Sequence, residues 1–319
     1  MEGLSSLSLR HLEFFCAVVE QGSISDAARE LRVSAGGIST ALTQLERRLD
    51  VQLTLRTRGR GVVITPAGRR VYEHAREVAT GIEDIRAVAA TMRGELTGSL
   101  RVGFFSTLSP WLFPRIAEHF ATRFPGVDLQ LEEAGSAVLQ EHLLGGALDA
   151  ALLYENHLVG GVTASRLTPV RLQLAVAPSH PLARYEAVPL HALRDEPAVI
   201  LSVRPATDHV EAILREAGMT PNVRWRSANV ETIRSLVARG LGYSIIMGRP
   251  YGDTTYEGMP VVYRPIADEL PPNHLVLATA GGARPTAKLD ELRTFCERVY
   301  GDDTAPRDPL HESRMGRLS

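Results

Sequence analysis

The chain has 319 residues, of which 44% are apolar and 23% charged, with a formal net charge of −2. That length accommodates two or three domains and a sizeable core. It contains no apolar run long enough to span a membrane, its first residues "MEGLSSLSLR" lack the apolar core of a secretion signal, and its two cysteines, Cys16 and Cys296, stand too far apart to suggest a disulfide framework. A cytoplasmic protein is expected.

The segment "LSLRHLEFFCAVVEQGS" carries Leu12, Phe15, Val18 and Val19 at helical spacing and ends at Gly22. A shorter helix, "SISDAARELRV", follows, with Ser25 placed to cap it and Ala27, Ala28 and Leu31 forming a slim inner face. Val33 makes a brief turn, and Ser34 is a good N-cap for the third helix. There Ile38, Leu42, Leu45 and Leu49 form one stripe at helical spacing. The opposite face holds Gly36, Thr40, Thr43 and Arg47, flanked by Ser39 and Gln44.

Two short helices crossing on alanines across a tight turn match a helix-turn-helix, whose second helix enters the DNA major groove. Hydroxyl and amide side chains there can reach phosphates or base edges, and Arg47 can hold the backbone. Glycine costs roughly 1 kcal/mol inside a helix and less in the first turn. Gly36 and Gly37 either let backbone N–H groups approach a phosphate or relieve crowding between helices. Next comes "VQLTLRTRGRGVVITPAG", two apolar segments around "RGRG", which reads as a two-stranded wing carrying Arg56, Arg58 and Arg60. From Arg47 to Arg70 seven arginines face the single acid Asp50. Such an excess is either a solvated face or, beside this motif, a phosphate-binding surface.

The stretch "LRHLEFFCAVVEQGSISDAARELRVSAGGISTALTQLERRLDVQLTLRTRGRGVVITPAG" resembles the DNA-binding domain of the LysR-type transcriptional regulators. It departs where that family commonly has Gln-Pro-Ala after the capping serine, since Ala35-Gly36-Gly37 stand here. Thr40 occupies a frequent arginine position, and Thr54 replaces a common aromatic.

Thr65-Pro66 reads as an N-cap with first-turn proline. Val71, Ala75, Val78, Ile82, Ile85, Ala89 and Met92 then alternate in steps of four and three, the seam of a coiled coil. A helix from Pro66 to Arg93 would be roughly 42 Å long. Paired copies would present two recognition helices to a two-fold DNA site; packing against its own C-terminal domain is the alternative. The resemblance implies such a linker helix, dimers and often dimers of dimers. "GELTG", residues 94–98, reads as a hinge.

Beyond it "SLRVGFF", "PWLFPRIAEHFATRF", "VDLQLEEA", "SAVLQEHLLGG" and "LDAALLY" alternate strand and helix, implying a parallel sheet with right-handed crossovers. "VRLQLAVAP", "PAVILSV", "YSIIM" and "HLVLATA" add strands; "DHVEAILREAG", "VETIRSLVARG" and "TAKLDELRTFCERVY" add helices. The resemblance continues here to the family's effector domain, which looks like a two-lobed periplasmic binding protein. Lobe I is expected at about 99–168 and 274–300, lobe II at about 169–273, and 301–319 as a disordered tail. Ligands in such sheets sit beyond the carboxyl ends of strands. That rule puts Ser106, Thr107, Ser136, Tyr154, Ser202, Gly242 and Tyr243 around the interlobe cleft, although a single such hydroxyl is more often a helix cap than a ligand contact.

"GLGYSI" follows a helix and enters a strand, the reverse of a dinucleotide site. The ten histidines form no zinc-ligand spacing, and both cysteines read as core thiols. The expected fold is therefore α/β with an all-α/winged N-terminal domain. A winged helix-turn-helix spans 7–65, a linker helix 66–93, and an effector domain 99–300. The expected function is a non-enzymatic, DNA-binding transcriptional regulator without cofactor or metal, controlled by a small-molecule effector. Its partners are double-stranded DNA, further copies of itself and, as the resemblance admits, RNA polymerase. A solute receptor and an α/β enzyme with a DNA-binding head are the rival readings.

Overall fold

A computed structural model describes residues 7–57, 61–91, 96–248, 252–283 and 286–300. The chain divides after Gly98 into two compact units. Arg58, Arg60, Met92, part of the expected hinge and the expected tail lie outside the described residues.

In the first unit α1 (Leu9–Gln21), α2 (Ile24–Glu30) and α3 (Ala35–Leu49) enclose a core of Phe15, Val18, Ala27, Ala28, Ile38, Leu42 and Leu45. Gly22 ends α1 in the left-handed region with φ 63°, a conformation that only glycine adopts at little cost. The capping serine of α2 is Ser23, not Ser25: Ser23 is extended and its Oγ accepts the Asp26 N–H at 3.4 Å. Ser25 already lies inside the helix. Ser34 caps α3 as expected, accepting the Gly37 N–H at 3.1 Å.

Strands β1 (Thr54–Thr57) and β2 (Gly61–Ile64) pair antiparallel, from Thr54 with Ile64 to Thr57 with Gly61. This wing is fastened to the helices twice. Glu46 of α3 accepts the Leu53 and Thr54 N–H groups, and the Val62 N–H donates to the Gly22 carbonyl at 2.8 Å. Thr65 Oγ1 accepts the Gly68 N–H at 2.9 Å and so opens α4 (Pro66–Thr91).

The second unit begins with β3 (Gly98–Phe105), α5 (Ser109–Arg123), β4 (Val127–Ala134), α6 (Ser136–Leu144), β5 (Ala150–Tyr154) and β6 (Val162–Val170). The chain then crosses to β7 (Leu172–Val176), β8 (Pro197–Leu201), α7 (Ala206–Glu216), β9 (Asn222–Ser227), α8 (Val230–Ala238), β10 (Ser244–Met247) and β11 (Val262–Pro265). It returns through β12 (Asn273–Ala280) and closes with α9 (Ala287–Tyr300).

The first lobe holds a five-stranded sheet in the order β4-β3-β5-β12-β6. Parallel pairing holds for β3 with β5, but β12 runs antiparallel to both β5 and β6. The all-parallel sheet expected from the sequence is thus a mixed one, because the returning strand enters from the other lobe. In the second lobe β7 pairs antiparallel with β10 and β11, and β8 pairs parallel with β9. Strands β6, β9 and β11 carried no clear sequence signal, being mostly half-exposed or exposed. A single residue, Arg171, separates the two sheets on one side, where β6 ends at Val170 and β7 starts at Leu172.

Candidate functional site

On α3 the inward stripe of Ile38, Leu42 and Leu45 is buried, and the face bearing Gly36, Thr40, Thr43 and Arg47 is exposed. Ser39 and Gln44 flank it, half-buried. Thr40 Oγ1 donates to the Gly36 carbonyl at 2.9 Å and Thr43 Oγ1 to the Ser39 carbonyl at 3.0 Å. Both hydroxyl protons are therefore engaged with the helix, which leaves oxygen lone pairs and methyl groups directed outward. A methyl group added at Gly36 would meet nothing within 4 Å. Packing between helices thus does not require this glycine, and crowding does not explain it. Arg56 pairs with Val62 through the wing's backbone.

The apolar seam of α4 divides in two. Val71 packs on the core of its own unit and Ala75 is buried there, held by Glu20, which meets Arg76 at 2.9 Å and Tyr72 at 3.0 Å. Further along, Val78 is 42% exposed and Ile85 72% exposed, with Ile82 half-buried between them. The seam starts as core and becomes surface. Val71, expected at a dimer contact, is half-buried against the helix-turn-helix core of its own chain.

In the second unit Ser106 and Thr107 follow β3, Ser136 opens α6 and Tyr154 ends β5. These four share the carboxyl edge of the first sheet. Tyr154 is buried, and its hydroxyl donates across the lobes to the Met247 carbonyl at the end of β10, a long bond at 3.4 Å. Burial pushes its phenol up to about 12, with the Thr107 hydroxyl acting in the opposite direction. Ser202 follows β8 at the corresponding edge of the second lobe, exposed, with its N–H on the Ser227 carbonyl.

Gly242 and Tyr243 lie elsewhere. The Tyr243 N–H donates to the Pro197 carbonyl at 2.9 Å, and a side chain at Gly242 would strike that same oxygen. This is the amino end of β8, opposite Ser202, and the Tyr243 ring is buried in the second lobe's core. The structure does not bring these two residues to the other five.

A residue passed over in the sequence stands among those five. His157, on the 3-10 turn Glu155–His157 after β5, is 4% exposed, and its Nδ1 lies 2.8 Å from Ser136 Oγ. Its ring meets Phe105 and Tyr154 edge-on, with centroids 5.1 and 5.4 Å away. Gln140 fixes this turn by donating to the His157 carbonyl at 2.8 Å and accepting the Val159 N–H at 2.7 Å. Burial holds His157 down to about 4, reinforced by the charge of His209 on α7 of the other lobe. The signal was available, because the carboxyl-edge rule that selected Tyr154 extends three residues further.

Among the described residues no three histidines, cysteines or acids gather as a metal site. None of their helices is long and apolar enough to cross a membrane. Both cysteines are buried, and burial pushes each thiol up to about 12. Neither is a thiolate at neutral pH.

An exposed helix face with a paired wing, on the same chain as a two-lobed α/β domain with a polar carboxyl edge, defines the class: a DNA-binding regulator with a small-molecule domain. Residues 9–69 match the bacterial regulatory helix-turn-helix family of lysR type, and residues 93–301 match the LysR substrate binding domain. The chain belongs to the LysR family of transcriptional regulators, as the resemblance implied. It is 32% identical to a probable hydrogen peroxide-inducible genes activator of Streptomyces viridosporus, over 92% of this chain and 95% of that one. The HTH-type transcriptional regulator YvbU of Bacillus subtilis is 28% identical over 83% of this chain and 88% of its own.

Among solved structures, HinK of Pseudomonas aeruginosa, a LysR family transcriptional regulator, shares 30% identity over 93% of this chain and 99% of its own, with a TM-score of 0.61. Full-length OxyR of the same organism, at 23% identity, covers 92% of this chain and 98% of its own with a TM-score of 0.75, a likeness of fold. The protein is therefore a DNA-binding transcriptional regulator with an effector-binding domain rather than a solute receptor.

Proposed function

We propose that the protein works in the cytoplasm as a homodimer or dimer of dimers, with α3 in the major groove and the wing on the adjacent backbone. Ser34, Gly36, Ser39, Thr40, Thr43, Gln44 and Arg47 would meet the groove, with Arg56, Arg58 and Arg60 on phosphates. The observation that carries this reading is the exposed face of α3, from Gly36 to Arg47, opposite its buried stripe. Val78, Ile82, Ile85 and Met92 would join two copies, since pairing along the heptad seam would take apolar surface such as that of exposed Val78 and Ile85 out of water.

The effector would sit at the carboxyl edge formed by Ser106, Thr107, Ser136, Tyr154 and Ser202, and change the spacing of the DNA-binding heads. A role as a two-thiol peroxide sensor does not suit this chain, since Cys296 is the single cysteine after residue 16. RNA polymerase is the further partner such a regulator requires when it activates. The test is genomic mapping of bound sites, followed by operator-binding assays with metabolites of the neighbouring pathway. Indifference of the purified protein to the intergenic region beside its own gene, at low ionic strength, would overturn the reading.

A further inference from the structure

Accepting that the cleft holds the effector, we infer that His157 is the residue that reads it, donating Nε2–H to an oxygen of a small carboxylate seated at the entrance of α6. Ser136 is fully buried, and among the described residues its hydroxyl has one partner, His157 Nδ1 at 2.8 Å. A buried hydroxyl proton needs an acceptor. Nδ1 supplies it only when the imidazole is neutral and carries its proton on Nε2. Nε2 is itself buried and has no partner among the described residues. An unspent donor is thus held on a ring that Phe105, Tyr154 and Ser136 keep from rotating.

The surroundings select the charge of what that donor meets. Ser136 begins a nine-residue helix, so N–H groups of its first turn precede the first intrahelical bond, from Leu139 to the Gly135 carbonyl at 3.1 Å. The other lobe closes on the same place. A side chain built on Gly135 would lie 3.9 Å from the Arg204 carbonyl, immediately before α7, and His209 of α7 acts electrostatically on His157. The Arg204 side chain is exposed and lies 3.5 Å from Asp208, so the charge preference at this mouth comes from the helix entrance rather than from that guanidinium. Glu155 of the same turn is engaged with Arg166 and His274, both at 2.7 Å, and does not compete. A carboxylate bound there would accept from Nε2–H and from the free N–H groups of the helix entrance. A neutral amide satisfies the same donor without using the charge.

The experiment observes the histidine ring nitrogens of the full chain by NMR while acetate, benzoate and their amides are titrated in. Expected at neutral pH is a His157 ring protonated on Nε2, with signals that move saturably with the two acids and little with acetamide or benzamide. His157→Phe should weaken acid binding on the order of tenfold or more, the loss of one charge-assisted hydrogen bond. His157→Gln, which keeps a donor at the same reach, should retain most of the binding and guards against a folding defect. A proton on Nδ1, unmoved signals with both acids, or amides binding as well as acids would overturn the inference. If His157 stays unmoved while some metabolite still changes operator affinity, the inference fails and the effector-cleft reading stands. If no metabolite changes operator affinity, that reading fails and takes the inference with it.

Discussion

Glu46 Oε1 accepts from Thr54 twice, from its N–H at 3.0 Å and its hydroxyl at 3.2 Å, and also takes the Leu53 N–H at 2.9 Å. One carboxylate on the recognition helix therefore sets where the wing begins. Removing it leaves two backbone donors and a hydroxyl without their acceptor, and each unsatisfied buried donor costs roughly 1–3 kcal/mol. Glu46→Ala should lower the stability of the DNA-binding unit by about 2–4 kcal/mol, measured by urea unfolding. Glu46→Gln retains an acceptor oxygen and should cost less. Both should weaken operator binding, since the wing loses its angle to α3.

Gly36 separates folding from DNA recognition. Nothing lies within 4 Å of a methyl group placed there, and the residue is helical. Alanine is the better helix former by up to roughly 1 kcal/mol. Gly36→Ala should leave the melting temperature unchanged or raise it, yet weaken operator binding by keeping the helix entrance off the phosphates. Full affinity together with full stability would leave the bare entrance without a DNA role. Thr40→Ala at the same face should change preference among operator sequences and leave affinity for random duplex intact.

The two ends of the α4 seam should respond differently to the same insult. Ile85 is 72% exposed, so aspartate there disturbs no packing within the chain. Ile85→Asp should halve the mass seen in light scattering and leave the circular dichroism spectrum intact. Val71 packs half-buried against the helix-turn-helix core, and Val71→Asp should destabilise that unit by placing a charge against apolar side chains. An undiminished dimer with Ile85→Asp would remove α4 from the interface.

What the sequence disclosed follows how each residue earns its place. The stripe of Ile38, Leu42 and Leu45 was legible because a helix half-buried on a core repeats its apolar residues at helical spacing. Strand β5 was legible as a continuous apolar run because every residue of it is buried. Strand β9 was not, since its residues are largely exposed and it is specified by pairing with β8 rather than by pattern. Tyr154 could be placed at the cleft from the end of its strand, but Tyr243 could not. The glycine before it reads equally as a ligand turn or as the close approach to Pro197 that the fold requires. His157 lies within reach of the same strand-end rule, but a lone histidine carries no spacing of its own, and its pairing with Ser136 shows only in the structure. The heptad seam was legible as a pattern, but how much of it faces its own core depended on where α1 meets α4.

The depressed His157 gives the second unit a pH dependence whose sign can be worked out. Its folded value of about 4 lies below the ordinary 6.5, with burial as the first cause and His209 as the second. Between those values the unfolded chain binds a proton that the folded chain refuses, so acid favours unfolding. The neutral ring's contribution is fully present above about pH 6.5 and is lost as pH falls toward 4. A displacement of this size corresponds to stability on the order of 3 kcal/mol. Both tryptophans, Trp111 and Trp225, lie in the second unit, so their fluorescence reports its unfolding alone. Urea midpoints followed by that signal should fall steeply in the parent chain between neutral pH and pH 4. His157→Gln should start lower at neutral pH, because the fit around Ser136 is disturbed, and then decline less steeply. Parallel curves for the two proteins would show that another group governs the acid sensitivity of the effector domain.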